Sequence, residues 1–283
     1  MHLPGASKLR KRLYARENDP RELVARQQAL IWSTYESVLR SIGDTAVLEG
    51  GHVLEIGPGP LLGNGVRFIA QGAASYTALD RFDLYRTDEE ARGHYRSLVE
   101  SLPPPERARC GTLIRSSGPE LFDDRLQFLQ LTIEDASLRF PAGRFRLIFS
   151  HNVLEHVEDV PSALRSMHRL LCPGGLAIHR VDVSTHSDRA SLHPLWQLTV
   201  PDYLWQAMYS IRSYPNRLRP TDYAPMAREA GFEELLRDAT TCLEIGEVEA
   251  IRPRLLPRYR TLPVEDLRIL DFVWVLERPD KGG

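Results

Sequence analysis

Residues 52–65, HVLEIGPGPLLGNG, constrain this chain more than any other stretch. An apolar run ends on an acid and breaks into a loop of glycines and prolines, which reads as the first strand and turn of a βαβ unit. A helix near 61–70 closed by Gly72 follows, then a strand at 75–80 (SYTALD). Further strands are predicted at 125–133 and 145–151, a helix at 161–171, and a CPGG turn into a strand at 176–183. Strands alternating with helices predict an α/β fold with a doubly wound, mostly parallel sheet. A helix (222–231) and strands at 232–240 and 271–278 complete seven strands.

Three stretches depart from this rhythm. Residues 21–42 place Leu23, Gln27, Leu30, Ile31, Thr34, Val38 and Ile42 at three-to-four-residue steps behind Asp19-Pro20 and ahead of Gly43, the pattern of an amphipathic helix. We expect 1–50 to form an N-terminal helical lid. Residues 81–124 are polar and proline-bearing, too long for an ordinary βα connection, and are expected to form a partly helical insertion in a core spanning 51–183. Residues 184–230 carry scattered aromatics and prolines and are expected to form a helical substrate cap, with 231–283 returning to the core sheet. The lid and the 81–124 insertion are also where a homodimer contact would fall.

The formal charge is -2 and the pI about 6.5, so no global attraction to nucleic acid or to an anionic membrane is implied. The basic stretch KLRKRLYAR leaves an RNA substrate as an alternative, although such a run is more often solvated. Three distant cysteines, Cys110, Cys172 and Cys242, fit neither a disulfide framework nor a zinc site and suit a reducing compartment. No apolar run approaches the roughly 20 residues of a membrane span, and a cytoplasmic protein is expected.

In an open α/β sheet, ligands bind at the carboxyl ends of the strands. Gly57 and Gly59 let backbone approach a ligand there, while Glu55 would repel the pyrophosphate of a dinucleotide and welcome a cation. A third glycine of G-x-G-x-x-G would fall at 62, which is Leu62, and the P-loop lysine is absent. An NAD-binding oxidoreductase is thereby disfavoured. Asp80 ends the second strand, where this fold places a carboxylate for ribose hydroxyls. Glu134 and Asp135 follow the third and can accept from an adenine amino group. Three acids at successive strand ends suit a ribose, an adenine and a cationic amino-acid tail.

With these residues in place, the chain resembles the class I S-adenosylmethionine-dependent methyltransferases. EIGPGPL matches that family's [DE]-x-G-x-G-x-G up to its last position, where Leu61 stands and Gly63 follows two residues later. LRFPAGRFRLIFS and NVLEHVEDVPSALRSMHRLLCPGG match its later motifs, over roughly residues 50–183. The resemblance implies a seven-stranded sheet and S-adenosylmethionine as cofactor. Glu55 would lie near the methionine amino group, Asp80 at the ribose hydroxyls, Glu134 and Asp135 at the adenine, with Arg81 and His151 also among the cofactor-binding residues. A non-catalytic binding or regulatory subunit of the same fold is the rival reading.

An oxygen acceptor with a proton to lose benefits from a general base, and His151 and His156, beyond the fourth strand, are the candidates. Some relatives use E-x-x-E-H at the positions of Asn152, Glu155 and His156 to hold a divalent metal. Asn152 breaks that set, and the remaining Glu-His pair is a poor ligand set alone, so no metal is expected. His179, inside an apolar strand, is expected to be a core histidine. His186, Trp196, Tyr203 and Arg217 of the cap are candidates for the substrate, as are Trp205, Tyr209, Tyr214, Arg212 and Arg219. NRLRPTDYAPMAREAGFE faintly resembles methyltransferases of glycan or natural-product biosynthesis, so the expected acceptor is a small molecule of that kind, methylated at oxygen.

Overall fold

The structure, a computed structural model, describes residues 20–41, 49–115, 120–186, 191–212 and 215–280. The KLRKRLYAR stretch, Ile42, Gly43 and Tyr214 lie outside these, as do the side chains of Leu23, Gln27, Tyr209 and Arg212. The chain divides into two compact units, Met1–Phe149 with Leu170–Gly175, and Ser150–Arg169 with Leu176–Gly283.

In chain order the first elements are α1 (Pro20–Ser41), β1 (His52–Ile56), α2 (Gly63–Ala70), β2 (Ser75–Leu79), α3 (Glu89–Ser101), α4 (Pro104–Arg109), β3 (Leu126–Leu129), α5 (Ile133–Arg139) and β4 (Phe145–His151). There follow α6 (Val160–Leu170), β5 (Leu171–Asp182), α7 (Asp202–Arg212), α8 (Pro220–Glu229), β6 (Glu233–Cys242), α9 (Ile245–Ile251), α10 (Pro257–Arg260), α11 (Val264–Leu267) and β7 (Ile269–Glu277). The strands form one seven-stranded sheet in the order β3-β2-β1-β4-β5-β7-β6. β1, β2 and β3 are parallel, and β7 runs antiparallel to both β5 and β6. This is the class I methyltransferase architecture expected from the sequence.

The first unit's core is aromatic. Phe149 meets Tyr35 of α1 edge-on at 4.6 Å between ring centroids and Phe68 of α2 at 5.1 Å, and Trp32 meets Phe68 edge-on at 5.1 Å. Such pairs add about 0.5–1.5 kcal/mol each beyond area burial. The insertion supplies α3, capped by Asp88, whose carboxylate accepts from the Ala91 N–H, and the short α4. The predicted strand at 125–133 is cut to four residues because Thr132 and Asp135 form a reciprocal capping box and turn Ile133 into the first residue of α5. Leu171, expected to end a helix, instead opens β5.

In the second unit, Tyr223 of α8 packs edge-on against Phe272 at 5.7 Å and Trp274 at 5.6 Å. A satellite core joins Leu195 and Leu198 to Leu243, Val248, Ile251, Leu255, Tyr259 and Leu267. The segment between β6 and β7 is therefore a set of short helices rather than plain sheet connection. His179 is buried in β5, with Ser150 Oγ 2.8 Å from its Nδ1, and burial pushes it down to about 3, so it is a neutral core residue. No helix among the described residues is long and apolar enough to cross a membrane.

Candidate functional site

The register Ile56↔Leu79↔Leu129 brings the carboxyl ends of β1, β2 and β3 to one edge. The chain leaves β1 through Gly57, whose N–H donates to the Leu79 carbonyl at 2.7 Å. Gly57 and Gly59 hold φ of 72° and 73°, conformations that side chains rarely adopt, and a Cβ on Gly59 would meet nothing within 4 Å. That combination of a glycine-only conformation and open space suits a ligand laid against the main chain. Glu55, one residue before the strand's end, is buried; its carboxylate accepts from Asn64 Nδ2 at 3.0 Å and from the Tyr76 hydroxyl. Burial pushes Glu55 up to about 8; the Asn64 hydrogen bond works against this and nearby Asp80 adds to it.

The departure at Leu61 has a structural reason. Leu61 and Leu62 are buried anchors, and the loop is tied from both flanks of the unit. Gln28 of α1 donates its amide to the Leu61 carbonyl at 2.8 Å, and the Leu62 N–H donates to the Tyr95 hydroxyl of α3 at 2.7 Å. A side chain at Gly63 would collide with Gln28, so the displaced glycine makes room for the clamp. We expect Tyr95→Phe to strand the buried Leu62 N–H and cost about 1–3 kcal/mol. An unchanged urea midpoint would show that the tether contributes nothing.

Asp80 follows β2, and one of its oxygens accepts from the Phe82 N–H at 2.8 Å, which fixes the carboxylate at the sheet edge. The exposed Arg81 lies over the Phe82 ring at 4.6 Å. Asp135 is engaged by the α5 cap, accepting from the Thr132 N–H and hydroxyl at 3.3 and 3.0 Å, whereas half-buried Glu134 takes no part in that cap. Of the predicted cofactor residues, Glu55, Gly57, Gly59 and Asp80 thus gather at adjoining strand ends. Asn64, Tyr76, Gln28 and Tyr95 were not legible as partners, because each reaches its partner in β1 or the loop from 9 to 33 residues away.

The second unit gathers a different chemistry. His151 ends β4, with Arg180 Nη1 3.5 Å from its Nε2. Burial and then Arg180 push His151 down to about 4, against Asp182, so the ring is neutral at pH 7. Asn152 follows in the left-handed region at φ 55°, a conformation asparagine tolerates, with its N–H on the Arg180 carbonyl at 2.9 Å. Asn216 then fixes the next turn, donating its amide to the Leu154 and Val157 carbonyls at 2.9 and 3.0 Å and its N–H to the Glu155 carbonyl at 2.6 Å. Glu155 is fully buried and neither oxygen has a hydrogen-bond partner of good geometry. Burial drives its carboxyl well above the ordinary range, offset only in part by the backbone N–H groups of Glu155 and Asp182.

His156 and His186 face each other edge-on at 4.9 Å, and ligand-capable atoms of Glu155, His156 and His186 lie within 4.8 Å of one another. Asp182 Oδ2 is 3.3 Å from His186 Nε2, and its Oδ1 accepts from the Ser184 N–H and hydroxyl at 3.0 and 2.6 Å. Burial alone would raise Asp182; the bonds from His186 and Ser184 overcome it and hold the group below its usual range. Beside this, a cavity of about 210 Å³ is lined by Asp182, Ser184, Thr185, Thr241, Leu270 and Asp271 among others.

The cap candidates fare differently. Arg217, expected to meet an anionic acceptor, is buried instead as a brace. Its Nη1 donates to the Gln197 and Val200 carbonyls at 3.3 and 2.7 Å, its Nη2 to Asp202, and its guanidinium lies over Trp205 at 4.9 Å. Trp205 is itself buried, donating to the Pro215 carbonyl at 3.0 Å. Arg219, a candidate for the substrate, is instead fully buried. Tyr203 is 77% exposed on α7 and lines no cavity described above, and Trp196 is half-buried at the start of a short 3-10 turn.

A 3-2-1-4-5-7-6 sheet whose first strand leaves through a glycine turn is the architecture of a class I S-adenosylmethionine-dependent methyltransferase domain. The chain belongs to the family described as "Methyltransferase domain", whose pattern matches residues 31–235. Its similarity to curated proteins is partial. Ubiquinone biosynthesis O-methyltransferase of Pseudomonas aeruginosa is 29% identical over 109 residues, 38% of this chain and 44% of that protein; the Pseudomonas paraeruginosa protein of the same name is 28% identical over the same shares. The chain therefore spans under half the length of these relatives. Among solved structures, an S-adenosylmethionine dependent methyltransferase from Mesorhizobium loti matches with TM-score 0.46 and 16% identity over 86% of this chain and 96% of that one. A putative sarcosine dimethylglycine methyltransferase from Galdieria sulphuraria matches with TM-score 0.49 and 12% identity over 88% and 86%.

Proposed function

We propose that this protein transfers a methyl group from S-adenosylmethionine to an oxygen of a small hydroxylated acceptor. The observation that carries the cofactor half is the joint placement of Glu55, Gly57, Gly59 and Asp80 at adjoining strand ends. When bound, the cofactor supplies a methyl already activated on a sulfonium. Glu55 would take the cationic amino-acid end, the Gly57–Gly59 backbone would run along it, and Asp80 would receive the ribose hydroxyls. Much of the acceleration would then come from alignment and from exclusion of water.

The acceptor half rests on the second unit. The cavity beside Asp182 offers hydroxyls from Ser184, Thr185 and Thr241 and carboxylates from Asp182 and Asp271, and its size suits a small hydroxylated ring. His151 is neutral at pH 7 and has a lone pair for the acceptor's proton, which would pass from the acceptor oxygen to the ring and then to water. Because burial and Arg180 make it a weak base, it matches an acidic hydroxyl, phenolic or catechol-like, better than an alkyl alcohol of a sugar. The O-methyltransferase names of the partial relatives agree with that preference. Within the expectation of a glycan-related or natural-product acceptor, this favours an aromatic natural product.

Labelled S-adenosylmethionine offered with phenolic, catecholic and sugar acceptors tests the reading. Methyl should appear on a phenolic oxygen. His151→Ala should lower kcat by about 100-fold or more while leaving cofactor affinity within about twofold. Methyl transfer confined to nitrogen, or equal losses in turnover and cofactor affinity, would contradict the assignment.

A further inference from the structure

Asn152 breaks the acidic pattern that would have announced a metal, yet the folded chain brings a third ligand from elsewhere. Three features converge in the second unit. Glu155 has a fully buried carboxylate whose oxygens have no hydrogen-bond partner of good geometry, only the partial support of the Glu155 and Asp182 backbone N–H groups. Buried polar groups are almost always well satisfied, so a carboxylate held this weakly calls for an ion or a proton. His156, the next residue, and His186, 31 positions downstream of Glu155 and beyond the end of β5, place nitrogen atoms so that all three ligand atoms fall within 4.8 Å of one another. Atoms held about 2.0–2.2 Å from a common tetrahedral zinc ion lie about 3.3–3.6 Å apart, so the trio would close by about 1 Å at its widest on taking up the ion.

The surroundings are organised for the same purpose. Asp182 Oδ2 lies 3.3 Å from His186 Nε2, a carboxylate-on-imidazole contact of the kind that orients metal-binding histidines. Ser184 holds Asp182 in turn through two hydrogen bonds. The three bonds that Asn216 makes to the 154–157 turn fix the backbone carrying Glu155 and His156. Glu155, His156, His186, Asp182 and Asn216 all belong to one compact unit.

We infer that Glu155, His156 and His186 form a binding site for a divalent transition metal of the zinc type, with at least one coordination position left open. Two imidazoles and one carboxylate are borderline ligands that suit zinc, cobalt or iron(II); magnesium prefers an oxygen set and its own waters. Three protein ligands leave the vacant position that distinguishes a reactive from a purely structural metal site. His186 is thus the residue that turns an inadequate Glu-His pair into a ligand set, and it comes from a segment that sequence spacing does not connect to the pair.

The test uses the full chain, freed of any affinity tag and stripped with a chelator. Equilibrium dialysis against zinc, followed by elemental analysis, should give about one ion per chain, and cobalt should give a visible absorption spectrum of a low-symmetry site. His186→Ala and Glu155→Gln should each weaken zinc binding by about tenfold or more and alter the cobalt spectrum. Glu155→Gln preserves volume at the buried position; if it fails to fold, His186→Ala, at a half-buried position, carries the test. No zinc uptake, uptake that His186→Ala leaves unchanged, or preference for magnesium over zinc would overturn the inference. Because binding is read without any methyl acceptor or cofactor, failure here is distinct from failure of the methyl-transfer reading.

Discussion

Replacing Arg219 with alanine is expected to destabilise the protein by about 3–5 kcal/mol, the cost of breaking a buried ion pair by removing one partner. The guanidinium is wholly inaccessible to water. Its Nη1 donates to the Val183 carbonyl at 3.2 Å, its Nη2 to the carbonyls of Asp266, Leu267 and Ile269, and its Nε lies 3.6 Å from Asp266 Oδ2. One side chain thereby joins the end of β5, the start of α8 and the α11–β7 connection. Truncation leaves several buried carbonyls without donors and the Asp266 carboxylate, which also accepts from the Thr221 N–H at 3.0 Å, without its counter-charge. A large fall in the urea midpoint checks this. Lysine should fail to rescue, because one ammonium cannot reproduce the planar fork. A midpoint within the error of the parent would mean that the network is not needed for the fold.

The second large effect concerns Glu55. Without ligand its carboxyl holds a proton up to about pH 8, since burial penalises the charge. A group raised in the folded state contributes stability that is present below its ordinary value of 4.5 and is lost as the pH rises through about 8. A cation placed beside Glu55 reverses the preference, so binding should expel that proton. Calorimetric titration at pH 7 in buffers of differing ionisation heat should therefore register release of up to one proton per cofactor. Glu55→Gln should abolish the release and weaken binding by about 10- to 100-fold, the range for a charge-assisted hydrogen bond in a buried site. Proton release that persists in Glu55→Gln would place its source elsewhere.

Much of the fold was legible because strand and helix periods are local. The HVLEIGPG run, the SYTALD strand and the FRLIFSH strand each announce themselves within a few residues, and all appear as β1, β2 and β4. The third strand was overextended, since LTI continues the apolar pattern and only the Thr132–Asp135 pair reveals that a helix begins there. The helices of 245–267 were not anticipated, because they are only four to seven residues long and bury their side chains against Leu195 and Leu198, about 50 residues earlier. Short elements take their stability from tertiary packing, not from their own sequence.

The site shows the same division. The placement of Glu55, Gly57, Gly59 and Asp80 at adjoining strand ends could be read from the local strand pattern. The roles of Arg217 and Arg219 could not, because an exposed arginine and a buried brace have the same local spelling. Likewise His186 was legible as a cap residue but not as a neighbour of Glu155 and His156, a relation that the turn after β5 alone creates.

The most direct test of the central claim is a calorimetric titration of the full chain with S-adenosylmethionine, repeated with Asp80→Ala and with NAD as a control. The account predicts saturable binding of one cofactor per chain, a loss of about tenfold or more in Asp80→Ala with its thermal midpoint unchanged, and no competition by NAD. No binding of S-adenosylmethionine by the folded chain, or equal affinity in Asp80→Ala, would contradict it.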